Sequence, residues 1–232
     1  MLLQLGEHNL EYTAEDSGFL DWNHLCRYTE TKRLWQDLLE RWATWDGTWL
    51  SIFKIPEIHF FWLGTHEVSW LWRTTVPLFI SRRRLARKKI FQQRATTDWC
   101  LDSGGFTELS KFGHWTITPR EYVNEVRMYM LLGRMKWAAI MDHMCEDFIL
   151  QKTGKTILEH QLMTVWNYLE LMSLAPDIPW TPVIQGFDIA DYHRCVDIYS
   201  QHGIDLSTLH VVGVGSVCRR QSTKEAAEII KS

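Results

Sequence analysis

A carboxylate at the end of an apolar run is the residue best suited to chemistry in this chain of 232 residues. Asp102 closes the segment DWCLD and is followed by Ser103, Gly104 and Gly105, none of which carries a bulky side chain. Backbone amides of such small residues can approach a flat ligand closely. A partly shielded carboxylate beside them is suited to proton transfer. The alternative interpretation is a tight turn in which Asp102 caps the next segment.

A second set of polar and small residues follows other apolar runs. Asp142 ends WAAIMD, and Gln185 with Gly186 ends TPVIQG. The carboxylate can accept hydrogen bonds from the N–H edge of a purine-like base, while the amide offers a donor and an acceptor. Gly213 and Gly215 permit close backbone approach, although a single GxG also fits a strand-end turn. Together these residues predict a site for a planar heterocycle, whereas each alone is more typical of a surface residue or a cap.

A run of cations follows the segment VPLFIS. SRRRLARKK (81–89) contains six cations and no acid. Such a run can hold a nucleic-acid backbone, which makes Arg82, Arg83, Arg84 and Arg87 candidate phosphate-binding residues. The alternative is a solvated helix face. The formal net charge of −3 gives no general attraction to a polyanion, so any such binding must be local.

Short apolar segments that alternate with helical stretches must position these residues. From residue 58 onward there are six such segments, bounded by glycine, proline or serine. They are IHFFWLG (58–64), VPLFIS (76–81), DWCLDSGG (98–105), WAAIMD (137–142), TPVIQG (181–186) and LHVVGVGS (209–216). Capping-box patterns predict intervening helices that open at Thr118, Thr156 and Ser222. The alternation predicts a parallel sheet with functional residues at the carboxyl ends of its strands.

Six strand–helix units are too few for a closed (β/α)8 barrel. The sequence therefore predicts an α/β fold that is either an open doubly wound sheet or a TIM-type barrel lacking its last two strands. Truncation would leave strand edges unpaired, so we expect a completing partner chain, a split gene or a degenerate remnant. We assign residues 57–232 to the partial barrel, and residues 1–56, which are rich in tryptophan and mainly helical in pattern, to an N-terminal extension.

Composition favours one globular domain in a reduced, cytoplasmic compartment. The five cysteines are widely spaced without a CxxC pair, and the sequence begins with no secretory signal pattern. The apolar stretch at 49–63 is interrupted by charges and a proline, so we expect no membrane span. His66-Glu67 lacks the second histidine of HExxH, and Asp142-His143 has no second cluster to complete a ligand set. We expect neither a metal nor a cofactor.

Taken in order, the strand-end motifs resemble those of the tRNA-guanine transglycosylase superfamily. DSGGF (102–106) matches the signature aspartate motif, and WAAIMD ends in an aspartate where the family reads the base. VIQG (183–186) and VVGVGS (211–216) are similar to the V-Q-G and I-G-G segments. LDSGGFTELSKFGHWTITPREYVNEV is more similar to the DNA 7-deazaguanine-inserting, DpdA-like branch, found in bacteria and their phages, than to the tRNA branch. The match covers about residues 58 to 230.

The resemblance implies a TIM barrel and a pentosyltransferase that exchanges guanine for a base such as 7-cyano-7-deazaguanine through a covalent enzyme–sugar intermediate. The polymer would be DNA or, alternatively, tRNA. By motif match, Asp102 would transfer the proton. By the same match, Asp142, Gln185 and Gly186 would recognise the base. Ser103, Gly104, Gly213 and Gly215 are further substrate-binding candidates, because their backbone can approach the base closely.

Two departures from the family pattern leave other functions open. The nucleophilic aspartate of the family would follow residue 232, and the cysteine-rich zinc motif of the tRNA enzymes is missing. Asp188, Asp191 and Asp197 belong by pattern to the helix after the fifth strand, so none of them replaces the nucleophile. One alternative is a non-catalytic remnant that binds nucleic acid or a base. A lower-ranked one is a glycosidase or deaminase using Asp102 and Glu108.

Overall fold

The computed structural model describes residues 62–87, 93–217, 220 and 224–232, and this part of the chain contains seven short strands interspersed with helices. The strands are β1 (Leu63–Thr65), β2 (Leu78–Ser81), β3 (Trp99–Asp102), β4 (Met135–Ala139), β5 (Trp180–Thr181), β6 (Val183–Ile184) and β7 (Gly213–Val214). The α-helices are α1 (Arg82–Leu85), α2 (Gly105–Phe112), α3 (Pro119–Met130), α4 (Asp147–Thr153), α5 (Ile157–Leu174), α6 (Ile189–Gln201) and α7 (Lys224–Lys231). The 3-10 helices are Val68–Trp72 and Leu206–Thr208. The N-terminal extension proposed for residues 1–56 lies outside the described residues.

All strand pairs are parallel, and the strands follow one another in chain order. β1 to β5 form one sheet in the order β1-β2-β3-β4-β5, and β6 pairs with β7. Only Pro182 separates β5 from β6, so residues 180–184 pair with β4 through their first half and with β7 through their second. The six predicted strand segments are thus all found and confirm the α/β class. The TIM-type barrel remains a prediction.

The core lies between the sheet and the helices that follow its strands. Ile80 and Leu101 are fully buried on neighbouring strands, and Val126 of α3 and Val165 of α5 belong to the same cluster. Burying each such side chain contributes about 1.5–3 kcal/mol. Helices that the sequence places between the strands therefore pack against the sheet.

Reciprocal caps begin helices α3 and α5. The Glu121 N–H donates to the Thr118 hydroxyl at 3.2 Å, and the Thr118 N–H donates back to the Glu121 carboxylate at 2.7 Å. Thr156 forms the same box with Glu159 at the start of α5. Both predicted helix starts are confirmed. The start predicted at Ser222 lies outside the described residues, although α7 follows it.

The length and apolar character of a helix decide whether it could span a membrane. The longest described helix, α5, has 18 residues and belongs to the core, with polar residues such as His160 and Gln161 buried along it. Among the described residues, no helix combines the length and the apolar character that crossing a membrane would require.

Candidate functional site

The carboxyl ends of four strands bring a polar cluster together. Asp142, just after β4, receives hydrogen bonds from two directions. The Ser103 hydroxyl, just after β3, donates to its Oδ1 at 3.0 Å, and the Gln185 amide, just after β6, donates to its Oδ2 at 2.5 Å. Ser216 follows β7 and donates to Gln185 Oε1 at 2.8 Å. Parallel pairing causes this convergence, because all strands end at the same edge of the sheet.

Asp102 is the last residue of β3 and lies beside Ser81, its partner in the β2–β3 register. Burial raises the pKa of the Asp102 carboxyl. Hydrogen bonding to the Ser81 hydroxyl and the Gly104 N–H, together with the Arg82 charge, lowers that pKa and offsets part of the effect. The result is a carboxyl that holds its proton more strongly than an exposed aspartate does.

The pKa of Asp142 is also raised. Burial, followed by the negative charge of Asp102, raises the pKa of Asp142 to about 7. Hydrogen bonds from Ser103 and Gln185 stabilise the carboxylate and limit the rise in pKa. Two carboxyls with raised pKa values, side by side at a sheet edge, are typical of sites that move protons or bind N–H donors near neutral pH.

Gln185 lies behind Asp142 and is fully buried. Its backbone carbonyl accepts a hydrogen bond from the Gln161 amide at 2.7 Å. A Cβ atom on Gly215 would lie only 2.1 Å from Gln185 Nε2, so the lack of a side chain there makes room for the amide. In this structure Gln185 positions Asp142, and direct contact with a ligand would require the amide to move.

Two further glycines predicted for the site, Gly186 and Gly213, lie in packed backbone. A Cβ on Gly186 would come within 2.8 Å of the Tyr192 N atom at the start of α6. Gly213 pairs with Val183 in the β6–β7 register. Both residues therefore allow the strand tips to approach their neighbours closely.

Arg82 fixes the backbone of the loop that follows Asp102. Gly104 adopts a left-handed conformation with φ of +77°, which glycine reaches without steric cost. The Arg82 guanidinium donates through Nε to the Ser103 carbonyl at 3.2 Å, and it forms ion pairs with Glu108 and, at 3.0 Å, with Glu125. These contacts fix the backbone that carries Ser103 towards Asp142.

The four candidate phosphate-binding arginines lie in different environments. Arg82 is only 2% exposed and is enclosed by its acidic partners, so a nucleic-acid backbone has no access to it. Arg83 is partly exposed and pairs with Glu108 at 3.0 Å. Arg84 contacts His66 Nδ1 at 2.6 Å, and burial together with the Arg87 charge lowers the pKa of Arg84. Arg83, Arg84 and the exposed Arg87 reach the surface.

Glu108 and the aspartates after Gln185 have structural partners. Glu108 is fully buried and accepts hydrogen bonds from Arg82, Arg83 and Thr116. Asp188 caps α6 in a box with Asp191, and Asp197 is exposed on that helix, as their sequence pattern predicts. Glu108 is thus committed to ion pairs, which does not favour a glycosidase or deaminase that would use it with Asp102.

A cavity of about 210 Å³ lies next to the cluster, with Trp115, His143 and His160 in its wall. Asp102, Asp142 and Gln185 do not line it. Burial is the main reason that the pKa of His143 falls to about 3, so this imidazole is neutral. No group of three histidine, cysteine, aspartate or glutamate residues that could hold a metal occurs within the described ranges.

Ser81 and Ser216 are strand-end candidates in the sequence, but the sequence assigns neither of them a role in the site. Both occupy strand ends, which is the one signal that could have identified them. Serine at such a position is common in turns, and only the structure shows that these hydroxyls face Asp102 and Gln185.

The fold and the cluster define a class: a parallel α/β protein with a buried carboxyl pair at the carboxyl edge of its sheet. The model of the DpdA family, described as DeoxyPurine in DNA protein A, matches residues 57–232, and the chain belongs to this family. The match confirms the branch of the tRNA-guanine transglycosylase superfamily that the motifs resemble. The comparison with curated proteins gives no match.

Proposed function

We propose that this chain carries the base-exchange site of a transglycosylase that replaces guanine in DNA with a 7-deazaguanine, such as 7-cyano-7-deazaguanine. The observation that carries the proposal is the Asp142 carboxylate, held between Ser103 and Gln185 beside Asp102. Membership of a family described by deoxypurines in DNA favours DNA over tRNA as the polymer. The strand order, which follows the chain without reversal, supports a TIM-type barrel over a doubly wound sheet.

The Asp142 carboxylate suits the N–H edge of a guanine-type base. In the structure, one N–H and one O–H donor from the protein bind its two oxygens. A base with adjacent N–H donors replaces them with two charge-assisted hydrogen bonds. Since only the ionised carboxylate accepts both bonds, base binding strengthens as the pH rises through the Asp142 pKa of about 7.

Asp102 is proposed to move the proton that the exchange requires. The glycosidic C–N bond breaks as a bond forms between the sugar and an enzyme nucleophile, and the departing guanine takes up a proton from the Asp102 carboxyl. The incoming base returns a proton to Asp102 as its nitrogen attacks the sugar and displaces the nucleophile. Because its pKa is raised, the Asp102 carboxyl holds a proton to a higher pH than an exposed aspartate does, which suits it to giving and taking this proton. We assign the nucleophile to none of the described residues.

Release of labelled guanine from DNA tests the exchange. We expect release with the full chain, either alone or with the polypeptide encoded directly downstream, which we propose as the source of completing strands that would pair along β7. The reaction belongs in the cytoplasm, where the DNA lies. Asp102→Asn and Asp142→Asn should abolish release, while Asp197→Asn on the exposed face of α6 should preserve it. Absence of release from DNA and from tRNA, in every combination, would contradict the enzymatic proposal.

Three cations at the surface support a second candidate function, a module that binds nucleic acid without catalysis. Arg83, Arg84 and Arg87 follow the tip of β2, next to the tip of β3 that carries Asp102. Their joint replacement by alanine should weaken DNA binding and reduce its dependence on salt concentration. Unchanged affinity in this triple variant would exclude the surface as a phosphate contact. DNA binding without guanine release would favour the module over the enzyme.

A further inference from the structure

The Ser216 hydroxyl occupies a junction between three groups. Ser216 is 3% exposed, and its oxygen accepts the Cys145 N–H at 2.8 Å. Two acceptors lie within reach of its single proton: Gln185 Oε1 at 2.8 Å and Glu146 Oε2 at 3.1 Å. One proton cannot serve both, and the shorter contact is with Gln185.

This contact fixes the direction in which the Gln185 amide points. With Oε1 held by the Ser216 proton, Nε2 faces Asp142 and donates to its Oδ2 at 2.5 Å. If the amide reversed, its oxygen would face the carboxylate oxygen. Two acceptors would then oppose each other without a proton between them. The hydroxyl of Ser216 therefore acts on Asp142 through the intervening amide.

The backbone at Ser216 gives a second, independent observation. Its φ is +55°, in the left-handed region where glycine is favoured and side chains are strained. A serine at such a position within a packed site indicates that its side chain performs a task that a glycine would not.

We propose that Ser216 is a positioning residue that orients the Gln185 amide and thereby holds the Asp142 carboxylate ready to accept a base. The role in base binding rests on the proposed function, whereas the effect on Asp142 itself does not. Loss of the hydroxyl leaves the amide free to rotate and weakens its bond to the carboxylate. The protonated form of Asp142 then becomes relatively more stable.

Few other groups around Asp142 change charge near neutral pH. Tyr122, Tyr199 and Cys145 interact electrostatically with it, and burial raises the pKa of each, so they stay neutral. Asp102 is the neighbour whose charge raises the Asp142 pKa, and no substitution at Ser216 alters it directly. Apart from the Glu146 carboxylate, which also contacts Ser216, a substitution at Ser216 therefore acts on the Asp142 titration through the hydrogen bonds on the Asp142 carboxylate.

Two variants that lack the hydroxyl separate positioning from general stability. Ser216→Gly removes the hydroxyl and relieves the backbone strain, while Ser216→Ala removes the hydroxyl and keeps the strain. In the full chain labelled with ¹³C at aspartate carboxyls, NMR should show the Asp142 midpoint raised by about half to one pH unit in both variants. Asp142→Asn identifies the signal. Ser207→Ala, which alters an exposed turn bonded to Asp205, should leave the midpoint unchanged.

The outcomes are distinct. A midpoint that stays at its original pH in both folded variants, or that moves only in the less stable Ser216→Ala protein, overturns the proposal. Binding of free 7-cyano-7-deazaguanine, measured by calorimetry across the same pH range, is the second arm. Failure of the original protein to bind that base contradicts the proposed function but leaves the NMR result valid. Base binding with an unmoved midpoint contradicts only the role of Ser216.

Discussion

Replacement of Asp142 by asparagine should make the protein more stable above neutral pH. The two side chains have the same shape, and the amide can keep both local hydrogen bonds. Its oxygen can accept from Gln185, and its NH2 group can donate to the Ser103 hydroxyl oxygen. The substitution therefore removes a buried charge without leaving a cavity or an unpaired polar atom.

The size and sign of the effect follow from the pKa of Asp142, which burial and the Asp102 charge raise from 3.8 to about 7. The folded protein holds this proton more tightly than the unfolded chain does. Its contribution to stability is complete below about pH 4 and is lost as the pH rises to about 7. A difference of about three pH units corresponds to about 4 kcal/mol at most, and relaxation around the charge reduces this to about 2–4 kcal/mol.

Urea unfolding measured from pH 4 to pH 8 provides the assay. The original protein should lose stability relative to Asp142→Asn as the pH rises from about 4 to about 7, and the two curves should run parallel above that pH. Asp205→Asn is a matched control. Hydrogen bonds from Ser207 lower the pKa of the exposed Asp205, so the contribution of this carboxylate to stability changes only below about pH 4. Its loss should leave the pH dependence between pH 4 and pH 8 unchanged. Curves for the original protein and Asp142→Asn that stay parallel from pH 4 to pH 8 would refute the reasoning.

Three further outcomes are expected. Arg82→Met should lower the free energy of unfolding by about 3–5 kcal/mol, because it leaves Glu108 buried without its main partner; a loss in urea unfolding no larger than that of Arg84→Ala would contradict this. Gly104→Ala should cost about 1–2 kcal/mol, since φ is +77°, and an unchanged melting temperature would show that the loop relaxes. The double variant Arg84→Ala, Arg87→Ala should reduce the slope of the logarithm of DNA affinity against the logarithm of salt concentration by the equivalent of about two phosphate contacts. An identical slope would exclude both residues as phosphate contacts.

The sequence predicts the strand ends well because parallel α/β folds leave strong local signals. Apolar runs that end in Asp102, Asp142 and Gln185 mark the strands, and capping boxes at Thr118 and Thr156 mark two helices. Since parallel strands end at one edge, the convergence of Asp142 with Gln185 and Ser103 follows from the strand assignment alone.

The local sequence pattern does not show which side chains of the site are buried or which partners they contact. Arg82 occupies the same charge run as Arg84 and Arg87, yet it points into ion pairs with Glu108 and Glu125. These acids lie 26 and 43 residues further along the chain, so no local rule connects them. Only the packing of the helices brings Arg82 together with Glu108 and Glu125.

Residues 180–184 pair with two different strands, so ligand binding beside Gln185 should be detectable in the backbone of β7. Pro182 has no N–H, and its carbonyl and that of Ile184 accept hydrogen bonds from Gly213 and Gly215. Displacement of the Gln185 amide by an incoming molecule pulls on the same short segment. The backbone N–H groups of Gly213 and Gly215 should therefore exchange with deuterium at a different rate when a ligand binds. Hydrogen–deuterium exchange would then detect ligand binding without any label.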